Sequence, residues 1–188
     1  KKQHEHINYF NPGVQKLKDA YQEFLFKINN FNAGDGYENF NDFLSDEAFD
    51  YANDGDGVTY VIWNIIYNDK EKEIDREIVA FYTLEATAIP YEDRIRLEPD
   101  EAERYKKEFD IEICGIPAVE IKMFAVNQQY QDLFFEYEDE DLPISAWVLR
   151  NIIDFVYDLS KNTMGFKAVF LHSVPDAKQF YMRNGFQI

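Results

Sequence analysis

Tyr181 stands in a segment whose residue types would place it with care: Ala177, then Phe180-Tyr181-Met182-Arg183-Asn184-Gly185-Phe186. Asp176, Ala177, Phe180 and Tyr181 fall near helical spacing, so one face of a short helix packs and Tyr181 lies at its margin. Asn184-Gly185 reads as a left-handed stop. A phenol held at such a margin can donate a proton. Just upstream, Gly165 to Ser173 is a mostly apolar run suited to a strand buried on both faces, and it ends in His172 and Ser173. Two carboxylates sit on other strand-like runs, Glu85 and Glu120. Each could accept a proton, directly or through water.

Metal chemistry finds less support. Asp54-Gly55-Asp56-Gly57 is tempting as a calcium loop. Aligning Gly57 with the loop glycine puts Ala52 at the first ligand position and Trp63 at the last, so the pattern fails and an acidic turn is expected. There is one cysteine, Cys114, hence no internal disulfide and no cysteine zinc cluster. That usage fits a reducing cytoplasm. His4 and His6 lie near the start and read as solvated.

The elements that must hold these residues follow from periodicity. Ile7 to Phe10 reads as a short strand. Asn11-Pro12 looks like a helix start, followed by Val14, Leu17, Tyr21, Phe24, Leu25 and Ile28 at helical spacing. Phe40 to Ala52 suggests a second helix. Val58 to Tyr67 and Ile74 to Ala88 read as a hairpin. Pro99 to Phe109 has helical character, Ile116 to Val126 is a strand, and Gln128 to Leu142 reads as irregular and acidic. Ile144, Val148, Ile152, Phe155, Val156 and Leu159 share one face of a long helix. No apolar run reaches membrane-spanning length. With 188 residues, 17 Phe and 13 Tyr, one domain over 1–188 with a sizeable core is expected. The chain opens without methionine, so upstream residues are expected.

The Ala177-x-x-Phe180-Tyr181-x-x-x-Gly185-Phe186 spacing resembles the signature near the end of GNAT N-acetyltransferases. The order of strands and helices along the chain is similar too. The resemblance implies an α/β (α+β) fold, a GNAT-like mixed central sheet flanked by helices, with the fourth and fifth strands splayed apart. It implies transfer of an acetyl group from acetyl-coenzyme A to an amine, on a small molecule or a protein. It makes Tyr181 the acid that protonates the departing thiolate. Glu120 resembles the family's occasional fourth-strand base, and alternation would set it on one face with Lys122 and Phe124. Phe124, Ala125 and Val126 would contact the pantetheine arm. His172, Ser173 and Asp176 would border the cofactor.

The sequence departs from the family where the pyrophosphate normally rests. Val126 to Gln131 begins as the family loop does, but no Gly-x-Gly follows. Five carboxylates lie between Glu136 and Asp141 instead. Facing the site, they would repel a diphosphate, and the fold would be an inactive binding or regulatory module. As an insertion bulging into solvent, they would leave the amides of Ser145 and Ala146 free to hold it. The insertion is the expected case. A third reading is a GNAT toxin acting on charged transfer RNA. The net charge of −17 speaks against it, and nucleic acid is not expected as a partner.

Overall fold

β-branched and aromatic residues dominate Val58–Tyr67 and Glu73–Pro90, and these form the long central hairpin, β3 and β4. Its turn is organised by Asn68, whose Oδ1 accepts from the amides of Lys70 and Lys72. The computed structural model describes residues 5–90 and 115–187, the side chains of 21–23 excepted. The expected helix Pro99–Phe109, Cys114 and His4 lie outside the described residues.

Two sheets are present. The larger has five strands in the order β2 (Pro12–Lys16), β3, β4, β5 (Gly115–Val126) and β8 (Ala168–Phe170). The β5–β8 pair is parallel and the others are antiparallel. A small second sheet joins β1 (Glu5–His6), β6 (Leu133–Tyr137) and β7 (Glu140–Pro143).

Each face of the large sheet carries a core. On one side lie α1 (Leu17–Asn29), α2 (Glu38–Asp42), a π-helical turn (Phe43–Glu47) and α3 (Ala48–Asp54). With Phe31 of the loop after α1, they bury Leu17, Ile28, Phe43 and Leu44 against Val61, Trp63 and Phe81. On the other lies α4 (Ile144–Asn162), whose Ile144, Val148, Ile152 and Val156 are fully buried against Ile62, Tyr82 and Val119. The helical face expected of this segment is the one that packs. A last helix, α5 (Lys178–Arg183), closes the chain.

Several expectations are corrected. Ile7–Phe10 is not a strand; Glu5–His6 is, and it pairs with Leu133–Phe134. Pro12 does not open a helix. Pro12–Lys16 pairs with Tyr60–Asn64 as an edge strand, where a proline at the first position loses no ladder bond that matters, and α1 begins only at Leu17. The second helix is three pieces rather than one. Gln128–Leu142 is not irregular. After a short 3-10 turn (Gln128–Tyr130) it forms the β6–β7 hairpin, closed by Glu138 and Asp139 at φ 51° and 67°. Such a two-residue turn needs both residues left-handed.

Candidate active site

The geometry follows from one mismatch of strand lengths. β5 and β8 pair only over Ala118↔Ala168, Val119↔Val169 and Glu120↔Phe170. β5 then runs six residues further, still paired to β4 on its other edge, while the chain after Phe170 turns away. The strands are therefore adjacent, parallel and splayed, as expected. A cleft of about 310 Å³ lies in the gap. Phe124, Ala125, Val126, Gln131, Ser145, His172, Asp176 and Tyr181 all line it. Glu120, Ala146 and Ser173 do not.

The helix stop fixes Tyr181. Gly185, at φ 93°, turns the chain so that its amide donates to Met182 O and the Phe186 amide donates to Tyr181 O. This paired return is how a left-handed glycine ends a helix. It brings the Phe186 ring to 5.7 Å from the Tyr181 ring, which also meets the Phe180 ring edge-on at 5.3 Å. Across the gap Phe124 lies 6.4 Å away. Burial among these rings pushes the Tyr181 phenol up to about 12.

Glu120 sits where the strands part. It is 7% exposed and its Oε1 lies 3.0 Å from His172 Nδ1, which comes from the chain after β8. Lys122 Nζ lies 3.9 Å from the same oxygen and 3.6 Å from Glu85 Oε2. The Tyr51 hydroxyl of α3 donates to Glu85 at 2.7 Å. Burial first, then that bond, pushes the Tyr51 phenol up to about 12. The two candidate carboxylates are thus side by side, paired across β4 and β5.

Strict alternation fails at this point. Thr83 pairs with Met123 and Leu84 with Ile121, so Lys122 is a bulge residue. A bulge shifts the alternation of everything after it. Val119 and Ile121 face the α4 core, yet so does Phe124, while Met123 and Ala125 face the α1–α3 core. Glu120 and Lys122 therefore share a face as expected, and Phe124 does not share it.

The far end of the cleft is the start of α4. Pro143 precedes it in extended conformation and no side chain caps its first turn. The first amides of a helix lack internal partners and favour an anion. Glu136, Tyr137, Glu138, Asp139, Glu140 and Asp141 are all exposed. The hairpin root is anchored instead, by Phe135 packed on Phe10 at 4.8 Å and Trp147 at 6.3 Å. Gln131 is engaged structurally: its Nε2 donates to Ala33 O and Val126 O, tying the loop after α1 to the end of β5.

Three cleft or near-cleft residues were not singled out from sequence as site residues. Tyr37 donates to Asp176 Oδ2 at 3.0 Å and bridges the two lips of the cleft. That bond pushes the Tyr37 phenol up, with burial a lesser cause. Lys122 lines the cleft, and Tyr51 orients Glu85. Tyr37 and Asp176 are 139 positions apart, so no local pattern could have joined them. Among the described residues no group of metal-binding side chains is found.

No family model matches the chain, and a search of curated proteins finds no match. Solved structures do match. A point mutant of the toxin KacT is 18% identical with TM-score 0.64, over 93% of this chain and 86% of that one. AtaT complexed with acetyl-methionyl-tRNAfMet is 17% identical with TM-score 0.63, over 94% and 87%. AtaTR bound with acetyl-coenzyme A is 20% identical with TM-score 0.63, over 94% and 86%. KacT and AtaT are GNAT-fold toxins. The chain has the GNAT fold. The mixed five-stranded sheet, its one parallel pair and the open wedge between β5 and β8 are the features consistent with that fold.

Proposed function

We propose that the chain is an N-acetyltransferase that moves an acetyl group from acetyl-coenzyme A to an amine, as one domain over 1–188. One observation carries this most: a wedge between β5 and β8 lined both by Ser145 at an uncapped helix N-terminus and by Tyr181, with Glu120 where the strands part. In this reading the amides of Ser145 and Ala146 hold the diphosphate. The edge of β5 at Phe124, Ala125 and Val126 pairs with the pantetheine arm, and His172, Ser173 and Asp176 border it. Glu120, directly or through water, takes a proton from the amine. Tyr181 gives one to the departing thiolate. Its buried, neutral phenol suits an acid rather than a base.

The solved structures support the donor, since AtaTR is bound there with acetyl-coenzyme A. They also bear on the acceptor. AtaT is described with acetyl-methionyl-tRNAfMet and KacTA with DNA. The expectation that nucleic acid is an unlikely partner, drawn from charge alone, is therefore not supported. A toxin acting on charged transfer RNA is the second reading. No helix among the described residues is long and apolar enough to cross a membrane, and a cytoplasmic location belongs to the same proposal.

Calorimetry with acetyl-coenzyme A is the first test, expected to show binding at one site. Release of free thiol from the bound donor is then followed with small amines, lysine peptides and aminoacylated transfer RNA in turn. Binding without turnover on any acceptor would favour the inactive module. Turnover on aminoacylated transfer RNA alone would favour the toxin.

A further inference from the structure

Lys122 is the one lysine that lines the cleft among the described residues. It lies two positions beyond Glu120, the last residue of β5 paired to β8. Its side chain is 44% exposed and its ammonium sits between Glu85 and Glu120. An amine thus already occupies the place where an acceptor amine would meet a carboxylate. We propose that Lys122 is a self-acetylation site. The inference rests on the acetyl-coenzyme A reading above.

The step balances as follows. Glu120 takes a proton from the Lys122 ammonium, directly or through water. The freed Nζ lone pair forms a bond to the thioester carbonyl carbon, and the carbon–sulfur bond breaks. Tyr181 supplies a proton to the leaving thiolate and regains one from solvent as Nζ loses its second proton and Glu120 releases its own. Lysine ammonium and acetyl-coenzyme A become acetyl-lysine, free coenzyme A and one proton. A tethered amine beside the thioester needs no binding step, and such proximity outweighs the disadvantage of an amine that must first be deprotonated. The product has lost its positive charge. Glu85 and Glu120, beside the cleft, are then left without the cation that neutralised them, and a cationic acceptor is drawn in more strongly. Self-acetylation would in this way raise the enzyme's preference for a positively charged amine.

The test uses the purified chain with acetyl-coenzyme A and peptide mass mapping over time. Lys70 and Lys72, both exposed and in the β3–β4 turn outside the cleft lining, serve as internal controls for uncatalysed acetylation. Lys122 is expected to gain an acetyl group at least about tenfold faster than they do. Glu120→Gln should abolish that advantage and leave the control lysines unchanged. Lys122→Arg, which keeps a cation between the carboxylates, should lose only this one modification. If calorimetry shows acetyl-coenzyme A bound and Lys122 is labelled no faster than the controls, the inference is overturned and the enzyme reading stands. A chain that binds no acetyl-coenzyme A overturns both.

Discussion

Converting all five hairpin carboxylates to amides, as Glu136→Gln, Glu138→Gln, Asp139→Asn, Glu140→Gln and Asp141→Asn together, measures whether the acidic segment guards the cleft. The fold should tolerate it. The residues are exposed, the root is held by Phe135 among Phe10 and Trp147, and asparagine suits the left-handed turn position at 139. The ion pair lost among the described residues is the Asp141 contact to His6 at 3.6 Å. The register puts Glu136 and Asp141 on the same rung, two residues above Pro143. At a strand rise of about 3.3 Å per residue, these two charges lie roughly 7 Å from the helix start, Glu140 roughly 10 Å, and the tip roughly 15 Å. In water with a Debye length of about 8 Å, the five together repel one unit of negative charge at the helix start by about 0.7 kcal/mol. A diphosphate carrying two charges feels about 1.4 kcal/mol, a ceiling of about tenfold in affinity. The expected result by calorimetry is thus a tightening of several-fold, shrinking as salt rises. A gain of more than about a hundredfold, or one insensitive to salt, would show that the native segment blocks the site by direct contact. The inactive-module reading would then replace the enzyme.

Tyr181→Phe should lower turnover by about a hundredfold or more while acetyl-coenzyme A affinity holds. With the phenol near 12, wild-type turnover should show no Tyr181-dependent alkaline loss below about pH 11; a basic limb near pH 10 that vanishes in the variant would refute the burial argument. Ile152→Ala empties a fully buried position under the sheet and should cost about 2–5 kcal/mol in urea unfolding. A loss under about 1 kcal/mol would mean that α4 is not packed as described. Gly57→Ala would set a methyl 2.9 Å from Leu84 O and 2.7 Å from the Tyr51 ring. The backbone oxygen cannot yield as a side chain can, so about 1–3 kcal/mol of stability should be lost, and Tyr51 fluorescence or exchange should report its displacement from Glu85.

Local pattern made the frame legible. The β3–β4 hairpin, β5, α4 and the Asn184-Gly185 stop each carry their own signal within a dozen residues. What escaped depended on partners far along the chain. Pro12–Lys16 has no strand pattern of its own and is a strand because β3 offers it an edge. The β6–β7 hairpin was hidden because five carboxylates mask the alternation of Leu133, Phe135 and Leu142. The bulge at Lys122 leaves no trace in residue type, and it alone reverses the face on which Phe124 lies. For the candidate site, the spacing around Tyr181 pointed to a residue that lines the cleft. The partnership of Glu120 with His172 and Lys122 could not be read, because it exists only where β5 and β8 separate.

A total of −17 says little about a single face. Five of the 36 carboxylates lie on the exposed β6–β7 hairpin and line no part of the cleft. Inside the site the balance is close: Glu85 and Glu120 face Lys122, with His172 beside them. On the proposed reading, this local set is what an acceptor amine would meet. Bulk charge acts mainly on encounter, where a polyanion is slowed and a cation hastened, and both effects fade with salt. Transfer RNA as acceptor would require a binding face whose local charge departs from the average. A small cationic amine would require only the carboxylates already beside the cleft. Comparing the two acceptors at low and high salt separates these cases, because only the first should show a steep dependence arising from released counterions.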